Sequence, residues 1–265
     1  MEPNLSLLIQ WTKQAGATAL QFQQEGLQVS YKGQADLITQ ADQSIEQTLL
    51  GQISDLFPDH SVIAEESGLH SGSAEHRWFV DPIDGTINYA HRLPFYCISI
   101  AYAFQNRLEL GVVYDPIRDE CFSAQHGGGA WLNGKPIHAS ATEQLRDALL
   151  VTGFRFNLLD TAQSNLNNFV RFSNLTQSVR RLGSAALSLA YVACGRIEGF
   201  WEVSLQPWDL AAGMLIAREA GAQVGKMFGE GEMLNGATSL LAANPFIFPL
   251  MSEVLRDEWQ KNRPQ

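Results

Sequence analysis

Three cysteines in 265 residues are too few to staple the chain. Cys97, Cys121 and Cys194 stand far apart in apolar surroundings, with no Cys-x-x-Cys pair. A disulfide framework and a dithiol redox motif are therefore excluded, and buried free thiols in a reducing cytosol are expected. Long apolar runs are absent too. No stretch reaches the length that spans a bilayer, and the opening M-E-P-N-L-S-L-L-I-Q-W starts acidic with only a short apolar segment, unlike a secretory leader. Positive charge is scarce. Lys and Arg number 18 against 28 Asp and Glu, a formal balance of −10 whose average field repels nucleic acid and anionic membranes. No fixed-period repeat, low-complexity tract or Gly-x-Ser-x-Gly nucleophile motif is present. The triple glycine at 127–129 lacks the Lys-Ser/Thr that follows in a phosphate-binding loop, so it reads as a hairpin turn.

What the chain does contain is an ordinary globular composition, 45% hydrophobic and 17% charged, sufficient to bury a core without staples. The length fits one domain, with an N-terminal half of about 1–145 and a C-terminal half of about 146–265. Helical spacing of apolar residues predicts helices over 5–25 and 40–56. Strands are predicted at 61–64, 78–80, 96–104, 108–114, 119–124 and 130–132, with a polar loop at 68–76. The second half reads as strand 148–152, helices 161–175 and 184–194, strand 199–203, helix 208–220, strand 240–243 and helix 246–260. Alternating helical and extended blocks of this kind predict stacked α and β layers, an α/β fold.

Chemistry concentrates in W-F-V-D-P-I-D-G-T-I-N-Y, residues 78–89. A buried-strand run enters Asp81, and Pro82, having no N–H, is expected to stop the ladder. Asp84, Gly85 and Thr86 follow. Two carboxylates at a strand mouth beside a glycine suit a hard divalent cation, which takes oxygen ligands plus substrate phosphate. Further acids lie at predicted element ends: Asp42, the pair Glu65-Glu66, and Asp209 at the head of an apolar helix. Asp42 or Asp209 alone reads equally well as an N-terminal charge favoured by the helix dipole. His91 reads as a loop or packing histidine.

The segments A-E-E-S (64–67), D-P-I-D-G-T-I-N-Y (81–89) and P-W-D-L-A-A-G (207–213) resemble the three signatures of the inositol monophosphatase family, within the metal-dependent, lithium-sensitive sugar phosphatases. L-I-T-Q-A-D (37–42), R-R-L-G-S-A-A-L (180–187) and L-A-A-N-P (241–245) fit in the same order. The resemblance implies an αβαβα layered sandwich, usually a homodimer, working with two to three Mg2+ ions. By motif, Glu65, Asp81 and the Ile83 carbonyl would hold one ion, and Asp81, Asp84 and Asp209 a second. A third, weaker ion would lean on Glu65. Gly85 and Thr86 would present N–H groups to phosphate, and Thr86, oriented by Asp42, would position the attacking water. Glu66 would lie just behind these ligands. Glu202, Asp209, Gly183, Ser184, Ala185 and Arg180 would face the substrate, while the pair Arg180-Arg181 reads equally well as a partner for substrate phosphate or for the acids of a partner subunit.

The activity so implied is hydrolysis of myo-inositol monophosphate or a similar small polyol phosphate. Alternatives on the same fold are histidinol phosphate, fructose bisphosphate or a nucleotide bisphosphate as substrate. A third reading is a regulatory protein that binds a partner such as RNA polymerase or ribosomal factors. No membrane association is expected, and the expected location is the cytoplasm.

Overall fold

The computed structural model describes residues 2–31, 37–154, 165–228 and 231–261. In chain order the first half runs α1 (Leu5–Glu25), β1 (Val29–Tyr31), β2 (Leu37–Thr39), α2 (Gln40–Leu56), β3 (His60–Ala64), β4 (Gly68–His70), β5 (Ser73–Asp84) and α3 (Thr86–Ala90). It continues through β6 (Cys97–Phe104), β7 (Arg107–Asp115), β8 (Glu120–Gln125), β9 (Ala130–Leu132) and β10 (Lys135–Pro136). The second half runs β11 (Leu149–Thr152), α4 (Leu166–Leu175), β12 (Ser178–Arg180), α5 (Ala185–Ala193), β13 (Gly199–Leu205) and α6 (Pro207–Glu219). It ends with β14 (Gln223–Gly225), β15 (Thr238–Ala243) and α7 (Ile247–Lys261).

These elements stack as five layers. Helices α1 and α2 cover the outer face of an eight-stranded sheet ordered β10-β9-β8-β7-β6-β5-β3-β4. Helices α5 and α6 fill the space between that sheet and a five-stranded one ordered β12-β11-β13-β15-β14, and α4 and α7 close the far side. The αβαβα order expected above is therefore present. Side-chain chemistry explains the placing. α1 buries one stripe, Leu8, Trp11, Ala15 and Ala19, and wets the other, as a surface helix must. α5 is apolar almost all round and Ala-rich, which suits a helix covered by sheets on both sides. α6 crosses it closely: a Cβ on Gly213 would stand 2.6 Å from Leu189 Cβ, so only glycine fits.

Two expectations are corrected. Pro82 does not end its strand; β5 continues to Asp84. Pairing with β3 stops at Val80, and pairing with β6 slips in register between Asp81 and Asp84. The missing proline N–H thus falls at an irregular, one-sided stretch, where a strand tolerates it. The polar loop predicted at 68–76 instead holds β4 and the start of β5, because Gly68 at φ +77 turns the chain back into a short hairpin on β3. The three-residue strands β12 and β14 were too short to show a periodic pattern. The predicted helix at 161–175 is seen from Leu166; its start at 161–164 lies outside the described residues. The triple glycine does form the β8–β9 turn, and its N–H groups on Gly127 and Gly129 donate to the Glu219 carboxylate at 2.9 and 3.0 Å.

Candidate active site

Five element ends meet where the two sheets and the inner helices converge. β5 delivers Asp81, Ile83 and Asp84; β3 ends just before Glu65; α2 and α6 carry Asp42 and Asp209 in their first turns; α5 begins after Gly183-Ser184; β13 carries Glu202. Local chemistry fixes each one. Asp42 and Asp209 each complete a capping box. Asp42 Oδ2 accepts from Thr39 N at 2.8 Å, and Asp209 Oδ2 from Gln206 N at 2.7 Å. Pro207 occupies the first turn of α6, where its lost donor costs nothing. The helix-cap reading of these two acids is met, and because capping by the backbone N–H uses one carboxylate oxygen of each, it leaves the other for a further contact. Asp42 Oδ1 accepts from Thr86 Oγ1 at 3.4 Å, and Thr86 Oγ1 also donates to the Ile83 carbonyl at 3.1 Å.

Asp84 is held from across the molecule. Ser184 Oγ donates to Asp84 Oδ2 at 2.5 Å, Ala186 N to the same oxygen at 2.7 Å, and Ala185 N to Oδ1 at 3.2 Å. The N-terminus of α5 thereby clasps the carboxylate, a placement the helix dipole favours. Cys97 Sγ adds a weak contact at 3.7 Å. Gly85, at φ +101, turns the chain from β5 into α3; a Cβ there would sit 3.1 Å from the Gly183 carbonyl. Asn88 ties the same two segments together, donating to the carbonyls of Phe95 and Leu182 at 2.7 Å each.

The electrostatics are those of crowded acids without counterions. Burial raises the Asp81 pKa well above the usual carboxylate value, and Glu65, Asp84 and Asp209 push it further. Asp81 is 1% exposed and its Oδ1 has no hydrogen-bond partner. Asp209 is pushed up to about 7 by burial and by Asp84. Glu202 rises to about 8 through burial, Asp209 and Asp84, with Arg181 opposing. Asp84 is raised by burial, against which its four donors work. Among the described residues no three His, Cys, Asp or Glu groups form a ready-made chelating cluster.

The expected residues are therefore brought together with one exception. Arg180 ends β12 exposed, its guanidinium turned back to the Ser178 hydroxyl and the Val179 carbonyl. Arg181 is the residue whose charge reaches Glu202, and it also lies over the Phe154 ring at 5.7 Å. His91 is exposed at the end of α3. Sequence reading missed Glu46. That side chain is 3% exposed, and its two oxygens accept from Glu66 N at 2.8 Å and Ser67 N at 2.9 Å, which fixes the turn that presents Glu65. A buried glutamate on the inner face of a predicted helix was the available signal.

Residues 1–260 match the profile of the inositol monophosphatase family. The chain belongs to that family. Its relatives include the inositol-1-monophosphatase of Synechocystis sp., 45% identical over 213 residues, covering 79% of this chain and 74% of that protein. The Nus factor SuhB of Escherichia coli K12 is 39% identical over 262 residues, 97% of each chain. The inositol monophosphatase structure from Anabaena sp. superposes with a TM-score of 0.84 at 37% identity, covering 96% of this chain and 95% of that one. Membership in this metal-dependent family makes the protein a phosphoric monoester hydrolase. No helix among the described residues is long and apolar enough to cross a membrane.

Proposed function

We propose that the protein hydrolyses myo-inositol monophosphate or a similar small polyol phosphate, using two to three Mg2+ ions. The observation that carries this reading is the buried Asp81 Oδ1 without a partner, inside a cluster of acids that raise one another's proton affinity. Such a set is costly alone and fits divalent cations. Glu65, Asp81 and the Ile83 carbonyl are assigned to one ion, Asp81, Asp84 and Asp209 to a second, and Glu65 to a third. When bound, Mg2+ offsets phosphate charge and lowers the pKa of water. Asp84 keeps capacity for this role on Oδ1, because a carboxylate oxygen has about two lone-pair sites and Oδ1 accepts only from Ala185 N, whereas Oδ2 is taken by Ser184 and Ala186.

The chain's own groups do the positioning. Asp42 accepts from the Thr86 hydroxyl, and that hydroxyl oxygen is assigned to positioning the attacking water. Gly85 and Thr86 offer N–H groups to the phosphate. Glu202, standing over Gly153 and facing Arg181, is assigned to the polyol hydroxyls, together with Gly183, Ser184 and Ala185. Arg180 is replaced by Arg181 in this assignment. The 1–265 chain is read as one domain in a cytoplasmic homodimer that is sensitive to lithium.

Phosphate release from inositol monophosphate, fructose bisphosphate, histidinol phosphate and an adenosine bisphosphate, with and without Mg2+ and Li+, tests the reading. Inositol monophosphate should lead, and a strong preference for the adenosine bisphosphate would overturn the ranking. Asp84→Asn should abolish hydrolysis with the fold intact; full activity in that variant refutes the site. Similarity to the Nus factor SuhB supports a second role, binding a regulatory protein partner. A stoichiometric partner that co-purifies with Asp84→Asn would establish it, and monodisperse unpartnered protein from the native host would not.

A further inference from the structure

At the opposite end of β5 and α6 from the acids, the molecule has a second cleft of about 380 Å³. Arg77, Arg218 and Lys226 line it, and Glu232 is the one acid on its wall among the described residues. Among the described residues no ion pair joins a carboxylate to any of these three cations. Arg77 donates from Nη1 to Asn235 Oδ1 at 3.0 Å and from Nη2 to Asn106 Oδ1 at 2.6 Å, both neutral acceptors. Its Nε is buried without a partner. Arg218, exposed on the last turn of α6, has its pKa lowered by partial desolvation, with no carboxylate among the described residues opposing the shift. The neighbouring acid Glu219 faces away, accepting from Gly127 and Gly129. Glu232 takes a hydrogen bond from Asn235 Nδ2, the same amide whose Oδ1 accepts from Arg77, and its single charge balances one of the three cations. Leu108, Met214 and Met233 supply an apolar floor.

Three cations around one cavity, one of them with a buried unsatisfied donor, are costly unless an anion sits between them. The floor suits a ring or alkyl group rather than a bare ion. We propose that this cleft is a binding site for a small organic phosphate monoester. Its phosphate bridges Arg77, Arg218 and Lys226, and its apolar part rests on Leu108, Met214 and Met233. The site is separate from the acids. Arg77 and Asp81 are four residue steps apart along a strand, about 13 Å, and Asp209 and Arg218 are nine steps apart along a helix, about 13 Å.

Phenyl phosphate and inorganic phosphate are the probes, titrated by calorimetry into the full chain in EDTA. Without metal the acidic site repels anions, so binding there is suppressed. Phenyl phosphate should bind saturably and more tightly than inorganic phosphate. Arg218→Gln and Lys226→Gln should each weaken it by about tenfold, the loss of one charge-assisted hydrogen bond. Asp84→Asn should leave it unchanged. Thermal melting checks that each variant is folded; Lys226 lies on a surface loop, so its variant keeps the test decisive if Arg218→Gln unfolds. Absence of saturable binding, undiminished binding in the folded variants, or loss of binding in Asp84→Asn would each overturn the proposal.

Discussion

Removing one carboxylate from the acid cluster should stabilise the metal-free protein. In Asp209→Asn the amide can still accept from Gln206 N, so the α6 cap is kept while a charge is lost. Asp209 stands at about 7 against an ordinary value of 3.8, because of burial and Asp84. A carboxyl whose folded pKa is raised holds its proton in the native state when the unfolded chain has already released it. Stability is therefore fully present below about pH 4 and is lost as pH rises toward 7. That shift corresponds to a ceiling of about 4 kcal/mol. Asp209 is partly open to solvent and the acids titrate together, so about 2 kcal/mol is the expected difference at pH 8 in EDTA. For a chain of this size that is about 5 °C in melting temperature. The assay is thermal or urea unfolding from pH 5 to 8, with EDTA or with Mg2+. Wild type should lose stability across that window in EDTA and regain it with Mg2+ at pH 8, and the variant should show a flatter slope and a smaller Mg2+ gain. A variant less stable than wild type at pH 8 in EDTA would refute the argument that these acids repel one another.

Ser184→Ala removes the 2.5 Å donor to Asp84; turnover should fall at least about tenfold at fixed Mg2+, measured by phosphate release, with Ser184→Thr restoring part of it. Glu46→Ala leaves Glu66 N and Ser67 N without their acceptor; stability should drop by about 2 kcal/mol in urea unfolding, and half-maximal activity should need more Mg2+. Gly85→Ala forces a side chain into φ +101 within 3.1 Å of the Gly183 carbonyl; activity should fall sharply while far-ultraviolet circular dichroism stays unchanged. An unaltered rate would show that the β5–α3 turn adapts freely.

Much of this was legible from local pattern. The stripe Leu8, Trp11, Ala15, Ala19 marks α1 because burial on one face imposes a helical period. Thr39 with Asp42 marks the start of α2 because capping is a contact within one turn. The failures share one cause. Pro82 reads as a terminator when judged by its own missing donor, yet the partner strands β3 and β6 determine whether that donor is needed there. Arg180 and Arg181 are adjacent and chemically alike; only the direction of an edge strand says which one faces Glu202.

By itself, then, the order of amino acids determined the helices, most strands, the family and the set of acids, since these depend on near neighbours and on motif. Tertiary structure alone decided which oxygens are spent and which are left over. Asp84 meets Ser184 across 100 residues of chain, and Glu46 meets Glu66 across the α2–β3 connection. The second, cationic cleft likewise gathers Arg77, Arg218 and Lys226 from three separate segments. Electrostatic cost and hydrogen-bond capacity depend on distance in space, and folding is what brings those distances into being.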